Sequence, residues 1–218
     1  MKKLIFTCLI LFQSFSLSAA ENNWTLIKNE DGIQVFTRKL PNSKLKTFKG
    51  VVSIPASLTS IVKVIDDTKN YPHIFYSTKK AKELKRVSQF EVFKYMLTSL
   101  PWPAKDRDSI IHSVLKQDKK TKAIQITMSS KPNFIPKKAG RVRIQNIHGR
   151  WLLIPEKSNK KSSIKKHIKV TYEMSIDPGG NLPAWIVNNM LVDFPFETLK
   201  NLRAGVKLPR YQGKNTLD

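Results

Sequence analysis

The sequence predicts an α+β fold in which a large, curved antiparallel sheet is followed by one long helix. Nearly all of residues 79–176 alternate apolar and polar side chains, as strands with one buried face do. The residues after Pro183 instead carry a broad apolar stripe at helical spacing. Turn-forming prolines, glycines and asparagines separate these segments. We therefore expect a hairpin, short helices, a long strand meander and a closing helix, in that order.

The hairpin and the short helical segment come first in the chain. Residues 33–40 and 46–54 have strand patterns, and the turn-like residues 41–43 connect them. A short helix is expected next, because apolar residues recur at helix spacing: Leu58, Ile61, Val62 and Ile65. Asp66 and Asp67 should end this helix.

The meander is expected to contain strands at residues 79–87, 90–99, 106–117, 123–130, 141–155 and 163–176. The last of these has the clearest alternation. Val170, Tyr172 and Met174 lie on one face, whereas Thr171 and Glu173 lie on the other. This strand should therefore have one buried face and one solvated face.

The closing helix begins after a strong strand-breaking segment. Residues 177–180 have the sequence Asp-Pro-Gly-Gly, and Pro183 suits the first turn of a helix, where its missing N–H costs nothing. Pro195 is expected to kink the helix. A curved sheet with this helix on its concave side encloses either a packed core or an apolar chamber. Periodicity does not distinguish these two interiors.

The first 20 residues have the pattern of a secretory signal peptide. Lys2 and Lys3 form a cationic start, and an apolar stretch follows that ends in small residues at Ala20. We expect cleavage near Ala20, a globular domain at residues 21–210, a short tail at 211–218, and a periplasmic or secreted location. Cys8, the one cysteine, would leave with the peptide. The mature domain would then lack thiol chemistry and disulfides and depend on its core.

The chain is strongly basic, with 39 Lys and Arg against 16 Asp and Glu and a formal net charge of +23. Losing Lys2 and Lys3 with the leader would lower this charge to +21. Such a charge favours anionic lipid head groups, saccharide phosphates or nucleic acid, although a lysine-rich composition explains it equally well. Nucleic acid is not expected, because no groove-reading motif accompanies the charge. The basic clusters are residues 79–80, 116–122, 137–138 and 157–166.

No motif in the sequence predicts catalysis, a cofactor or a metal site. The four histidines lack metal-ligand spacing: His73, His112, His148 and His167. The sequence has no nucleophile elbow, phosphate-binding glycine loop or His-Glu-x-x-His helix. We therefore expect a binding protein rather than an enzyme, without a cofactor or a metal.

Several local strings resemble one known family in the family's own order. Residues 100–103, Leu-Pro-Trp-Pro, and residues 106–108, Asp-Arg-Asp, resemble the signature of START domains, the steroidogenic acute regulatory-related lipid-transfer family. Further strings are similar to the later strands and closing helix of bacterial members: Gly-Arg-Trp at 149–151, Val-Thr-Tyr at 170–172 and Leu-Pro-Ala-Trp at 182–185. The resemblance spans residues 24–203 and therefore the whole domain.

The resemblance implies a helix-grip fold, in which a curved sheet grips the C-terminal helix around a tunnel for one lipid or sterol-like molecule. Members generally bind or carry their ligand rather than transform it. Aromatic and methionine side chains suit a variable occupant, and we predict these as tunnel walls: Phe93, Tyr95, Met128, Trp151, Tyr172 and Met174. The closing helix should supply a movable lid: Trp185, Asn189, Met190 and Phe194. Ordinary core packing also explains each of these residues singly.

Asp106, Arg107 and Asp108 are predicted to form structural ion pairs. Alternation along a strand turns Arg107 away from its two neighbours. A buried charge without a partner would cost on the order of several kcal/mol, so any inward member needs one. The candidate partners of the aspartates are Arg141, Arg143 and Arg150.

One position departs from the steroid-carrying branch of the family. That branch has a pocket arginine five residues beyond the aspartate of the signature, where this chain has Ser113. A sterol contact of that kind is therefore not expected, and Ser113, His112 or Arg143 is the alternative polar contact. Trp102, between two prolines, is expected to anchor a rigid turn rather than to face the ligand.

Three functional hypotheses follow. The first is a monomeric lipid-binding protein that ferries its ligand between envelope membranes and docks through its basic clusters. The second is an enzyme like the cyclases and aromatases of the wider superfamily, whose acid and base candidates are Tyr95, Arg107, Asp108 and His112. The third is a basic adhesion module that binds membrane surfaces without extracting lipid. A solidly packed interior would exclude the first, and an inward-facing His or Asp would favour the second.

Overall fold

The computed structural model describes residues 24–39, 46–156, 167–213 and 217. Three parts of the sequence-based interpretation lie outside these residues. They are the signal peptide at residues 1–20, the hairpin turn at 41–43 and the basic cluster at 157–166.

The described residues form ten strands and three α-helices. The strands are β1 (Thr25–Glu30), β2 (Ile33–Lys39), β3 (Lys46–Pro55), β4 (Thr78–Ser88), β5 (Glu91–Thr98), β6 (Arg107–Gln117), β7 (Ile124–Ser130), β8 (Val142–Arg143), β9 (Asn146–Pro155) and β10 (His167–Asp177). The helices are α1 (Leu58–Asp66), α2 (Tyr71–Ile74) and α3 (Ala184–Gly205). Single 3₁₀ turns occupy Thr68–Asn70 and Pro209–Tyr211.

All ten described strands belong to one sheet; nine of them have the order β1-β2-β3-β10-β9-β7-β6-β5-β4, and β8 lies off this path beside β6. The neighbours in this order are antiparallel. The predicted α+β class, with one large antiparallel sheet and a long C-terminal helix, is therefore confirmed. β10 lies between β3 and β9, which explains why its alternation is the clearest in the chain.

Two features of the sheet differ from the sequence-based prediction. β1 was not predicted, because its side chains are mostly exposed and its sequence lacks alternation. The predicted strand at residues 141–155 is divided into β8 and β9, and the short β8 pairs with β6 in parallel. Two residues are too few for a periodic pattern, so sequence alternation cannot indicate such a pairing.

The helices begin and end where local chemistry favours it. The side-chain oxygen of Ser57 accepts a 3.0 Å hydrogen bond from the backbone N–H of Ser60 and so caps α1. Pro183 is the N-cap residue of α3, and Pro195 lies inside that helix. On β3, a Cβ atom at Gly50 would lie 2.6 Å from the Leu199 side chain. Glycine at position 50 therefore permits α3 to approach the sheet closely.

The core has one large cluster and one small cluster. Ile33, Ile54, Trp151 and other sheet residues pack in the large cluster with Leu199, which belongs to the second half of α3. The small cluster joins Ile186 and Met190, in the first half of α3, to Leu100 in the loop after β5. The two halves of α3 therefore have different supports: the second half packs in the main core, and the first half packs mainly in the small cluster, with Leu191 against the main core.

Candidate functional site

A cavity lies between the concave face of the sheet and the helices. Its volume is about 130 Å³, measured as the space that the centres of water molecules can occupy. One water molecule needs roughly 10–15 Å³ on this measure, so the cavity has room for on the order of ten water molecules. With its opening to solvent included, the empty space is about 1310 Å³. Of the two interiors that the sequence permits, the structure has the chamber.

Strand alternation decides which side chains face this cavity. From β5 these are Val92, Lys94, Met96 and Thr98. From β6 these are Arg107, Ser109, Ile111, Ser113 and Leu115. Their sequence neighbours point to the outer face of the sheet. Most of the remaining wall is apolar and comes from the other strands and from α1, α2 and α3.

Several predicted contact residues lie on the cavity wall: Met128, Trp151, Tyr172, Met174, Met190 and Phe194. Trp151 and Tyr172 stack with ring centroids 4.0 Å apart and planes 3° apart. Trp151 is fully buried, and its Nε1–H has no hydrogen-bond partner among the described residues. A buried donor without a partner is costly, so an acceptor on a ligand or a water would stabilise this site.

Phe93 and Tyr95 do not line the cavity, although the sequence-based prediction placed them there. They occupy the outer face of β5. Phe93 stacks on His112 with ring centroids 4.4 Å apart, and Arg141 donates a 2.6 Å hydrogen bond to the Tyr95 hydroxyl. The reason is the two-residue period of the strand: if Lys94 points inward, both of its neighbours must point outward.

Two predicted lid residues also lie away from the cavity. Trp185 is 48 % exposed, and Asn189 is exposed on the same half of α3. Met190 and Phe194 face inward instead. Trp102 is 88 % exposed, so it neither anchors the turn through burial nor faces the cavity. The turn is held by its neighbour Leu100, which is buried in the small cluster.

A polar cluster that the sequence-based interpretation missed occupies one end of the cavity. The ammonium group of Lys94, 3 % exposed, donates to the Tyr71 hydroxyl at 2.7 Å and to Asp66 Oδ1 at 3.2 Å. It also contacts the backbone oxygens of Ile65 and Asp66. The Tyr71 hydroxyl in turn donates to Ile65 O at 2.7 Å. Each member of this cluster is therefore satisfied within the protein.

The pKa shifts in this cluster agree with the geometry. Burial favours the neutral form of Lys94, but the oxygens of Tyr71 and Asp66 outweigh it and raise the pKa of Lys94. Burial would raise the pKa of Asp66, but Lys94 and Arg86 outweigh it and lower that pKa. Burial raises the pKa of the Tyr71 phenol. At neutral pH the cluster therefore holds a charged lysine, a carboxylate and a neutral phenol.

The predicted ion pairs are only partly present. Arg143 makes a bidentate pair with Asp108 at 2.8 and 2.9 Å, and both residues are buried. Lys79 pairs with Asp106 at 2.9 Å near the surface. Arg107 makes no ion pair with a carboxylate in the described part of the chain, so its predicted ion pair is absent. Its guanidinium instead donates to backbone oxygens.

The remaining polar candidates are divided between the cavity wall and the outer face of the sheet. Ser113 lines the cavity, at the position where the steroid-carrying branch has arginine. Among the acid and base candidates of the enzyme hypothesis, Arg107 alone lines the cavity, because Tyr95, Asp108 and His112 lie on the outer face. No group of three or more potential metal ligands occurs among the described residues.

Comparisons with known proteins agree with this architecture. A family model described as "START domain" matches residues 14–211. The chain belongs to the START domain family. An uncharacterized protein of Pseudomonas aeruginosa, PA1579, is 30% identical over 190 residues, which are 87% of this chain and 90% of that protein.

Solved structures of START proteins have the same fold. A STAR-related lipid transfer protein from Xanthomonas axonopodis is similar with a TM-score of 0.75 and 31% identity, over 85% of this chain and 99% of that one. Human StAR-related lipid transfer protein 5 is similar with a TM-score of 0.73 and 14% identity, over 87% and 88% of the two chains. The suspected family resemblance and its helix-grip fold are confirmed. Membership of the START family indicates a domain that binds a hydrophobic ligand, and the cavity gives such a ligand a place.

Proposed function

We propose that this START domain takes a hydrophobic molecule into its cavity and carries it between membranes of the cell envelope. The observation that carries the proposal is the mostly apolar chamber between the sheet and α3. Burial of roughly 400 Å² of lipid surface at about 25 cal/mol per Å² contributes on the order of 10 kcal/mol before ordering costs. Apolar contact is therefore sufficient to hold the ligand. The name of the Xanthomonas relative, a lipid transfer protein, supports the same function.

The first half of α3 is the proposed gate. Its inward residues Ile186 and Met190 belong to the small cluster, whereas Phe196 and Leu199 in the second half pack in the main core. Pro195 lies between the two halves and cannot donate one of the backbone hydrogen bonds that would join them. Displacement of the first half would therefore open the cavity and leave the main core in place.

A membrane contact beside this gate is supported by exposure and charge. Trp102 is almost fully exposed, and it belongs to the same loop as Leu100, which packs against the first half of α3. β4, an edge strand, carries exposed basic residues, among them Lys79 and Lys80. Each basic residue close to an anionic bilayer adds about 1 kcal/mol. We therefore propose that the protein docks on anionic bilayers with this loop inserted, in the periplasm or outside the cell as the leader pattern predicts.

Carriage is tested by lipid extraction and transfer. The purified protein is mixed with donor vesicles of bacterial envelope lipid, separated from them and examined by native mass spectrometry. It is then offered to acceptor vesicles that lack the extracted lipid species. We expect a bound lipid in a one-to-one complex and faster transfer to the acceptor. A protein that stays empty under these conditions would refute carriage, and the adhesion hypothesis would then account for any vesicle binding that salt abolishes.

Trp102→Ala should weaken binding to anionic vesicles. An indole that enters the interface buries part of its roughly 150–250 Å² of surface, and a loss of only about 1.4 kcal/mol is tenfold. We expect a drop of about tenfold or more in vesicle co-sedimentation. The control is Ile154→Ala, which removes an exposed apolar side chain from the outer face of the sheet and should leave binding unchanged. Equal binding of both variants and the wild-type protein would exclude insertion of this loop.

A further inference from the structure

Arg107 differs from the other charged residues of the cavity wall because it lacks a counter-charge. The charged residues of the wall are Asp66, Arg86, Lys94 and Arg107. Arg86 pairs with Asp66 and also with Glu83 at 2.6 Å, and Lys94 pairs with Asp66. Arg107, only 4 % exposed, has no carboxylate partner in the described part of the protein. The wall therefore holds one uncompensated cation.

The guanidinium of Arg107 also has unused hydrogen-bonding capacity. Its Nε donates to Pro178 O at 3.0 Å, Nη1 to Lys105 O at 2.6 Å and Nη2 to Gly179 O at 2.8 Å. A guanidinium carries five N–H donors in a fixed fork. One N–H on each terminal nitrogen is left over, and N–H groups on the two terminal nitrogens of a guanidinium can pair bidentately with a carboxylate or a phosphate.

Two threonines beside Arg107 in the sheet provide a second, independent observation. Thr98 is the direct cross-strand neighbour of Arg107, and Thr78 is the neighbour of Thr98. All three line the cavity. The Thr78 hydroxyl is buried and has no hydrogen-bond partner among the described residues. Such a group costs free energy in an empty site and is stabilised by a polar ligand.

We propose that Arg107, Thr98 and Thr78 form the binding site for the anionic head, a carboxylate or a phosphate, of a single-chain amphiphile whose tail occupies the apolar part of the cavity. The proposal rests on the proposed function and specifies its ligand class. The Lys94 cluster is not this site, because Asp66 and Tyr71 already satisfy its ammonium group. The acidic head would lie beside the residues that precede α3, because Arg107 is bonded to the backbone of Pro178 and Gly179.

The test compares three probes that share one chain and differ in the head group: dodecanoate, dodecyl phosphate and dodecanol. Affinities are measured by calorimetry on the full chain at pH 8. We expect both acids to bind about ten- to a hundredfold more tightly than the alcohol, the range expected of charge-assisted hydrogen bonds. Whichever of dodecanoate and dodecyl phosphate binds more tightly identifies the head group as a carboxylate or a phosphate.

Substitutions test whether the preference for the acids over dodecanol depends on Arg107 and Thr78. Arg107→Met should remove the advantage of the acids over dodecanol, whereas Arg107→Lys should retain part of it. Arg150→Met is the control, because it removes the same charge from an exposed pair with Glu173 on the outer face of the sheet. Thr78→Val should lower the affinity for the acids about two- to tenfold without lowering the unfolding midpoint, because the hydroxyl has no partner to lose.

Two outcomes would overturn the inference. One is equal binding of all three probes by the wild-type protein. The other is a preference for the acids that survives both Arg107→Met and Thr78→Val. If the Arg107→Met variant does not fold, the result for Thr78→Val alone is used. Dodecanol binding without an acid preference would leave the proposed function standing, and if all three probes fail the inference is overturned while the lipid-extraction experiment decides the proposed function.

Discussion

Asp108→Ala should lower the free energy of unfolding by about 3–5 kcal/mol, the range for removing one partner of a buried ion pair. The carboxylate of Asp108 binds Arg143 at 2.8 and 2.9 Å, and both side chains are almost fully inaccessible to water. Without it, the guanidinium stays buried with only backbone oxygens as partners, such as those of Pro132 and Ile135. The loss is measured from urea-induced unfolding curves of the variant and the wild-type protein. The two proteins must have equal m-values for the difference to be a difference in stability.

The control for this substitution is two residues away. Asp106 pairs with Lys79 where both side chains are partly exposed, so Asp106→Ala should cost less than about 1 kcal/mol. The double substitution Asp108→Leu with Arg143→Met should recover part of the loss, because an apolar pair leaves no buried charge. Similar small losses for Asp106→Ala and Asp108→Ala would contradict a structural role for the buried pair.

Ser113→Trp should strongly weaken lipid uptake while the protein remains folded. Ser113 lies on the cavity wall opposite Met128 in the strand register, so a large aromatic side chain at this position would occupy ligand space. Displacement of about 100 Å² of ligand contact costs about 2.5 kcal/mol, which is roughly a fifty- to hundredfold loss of affinity. Native mass spectrometry after incubation with vesicles measures the bound fraction.

The matched control for Ser113→Trp is Thr127→Trp. Thr127 is on the next strand and is exposed on the outer face of the sheet. Both variants add the same aromatic group to a strand, but only the first reaches the cavity. Lipid uptake should therefore fall in Ser113→Trp and stay at the wild-type level in Thr127→Trp. If Ser113→Trp still extracts lipid at the wild-type level, the ligand does not occupy this cavity.

Much of the architecture was predictable because its elements have strong periodic patterns. β10 is an interior strand, buried on one face, and its alternation is unambiguous. α1 begins after Ser57 and ends at Asp66, as the helical spacing and the acidic pair predict. The resemblance added what periodicity does not supply, namely that the sheet and α3 enclose a tunnel rather than a packed core.

The cavity wall was less predictable because β5 is apolar on both faces. Phe93 and Tyr95 are more conspicuous than Val92 and Met96, and the aromatic pair was therefore assigned to the interior. The opposite face contains Lys94, whose burial requires Asp66 and Tyr71. These two residues are distant in the sequence, so no local pattern indicates that a lysine can point inward. The same applies to Arg107, whose partners are backbone oxygens.

The interior position of β10 also bears on how the sheet is completed. β10 pairs with β3 on one side and β9 on the other, and its contacts with β3 join Phe48 to Met174. β10 follows the other nine strands in the chain, so the two parts of the sheet that it connects cannot be joined before it is available. Pairings between such distant segments also form slowly. The complete sheet therefore forms only once β10 joins the strands that precede it in the chain.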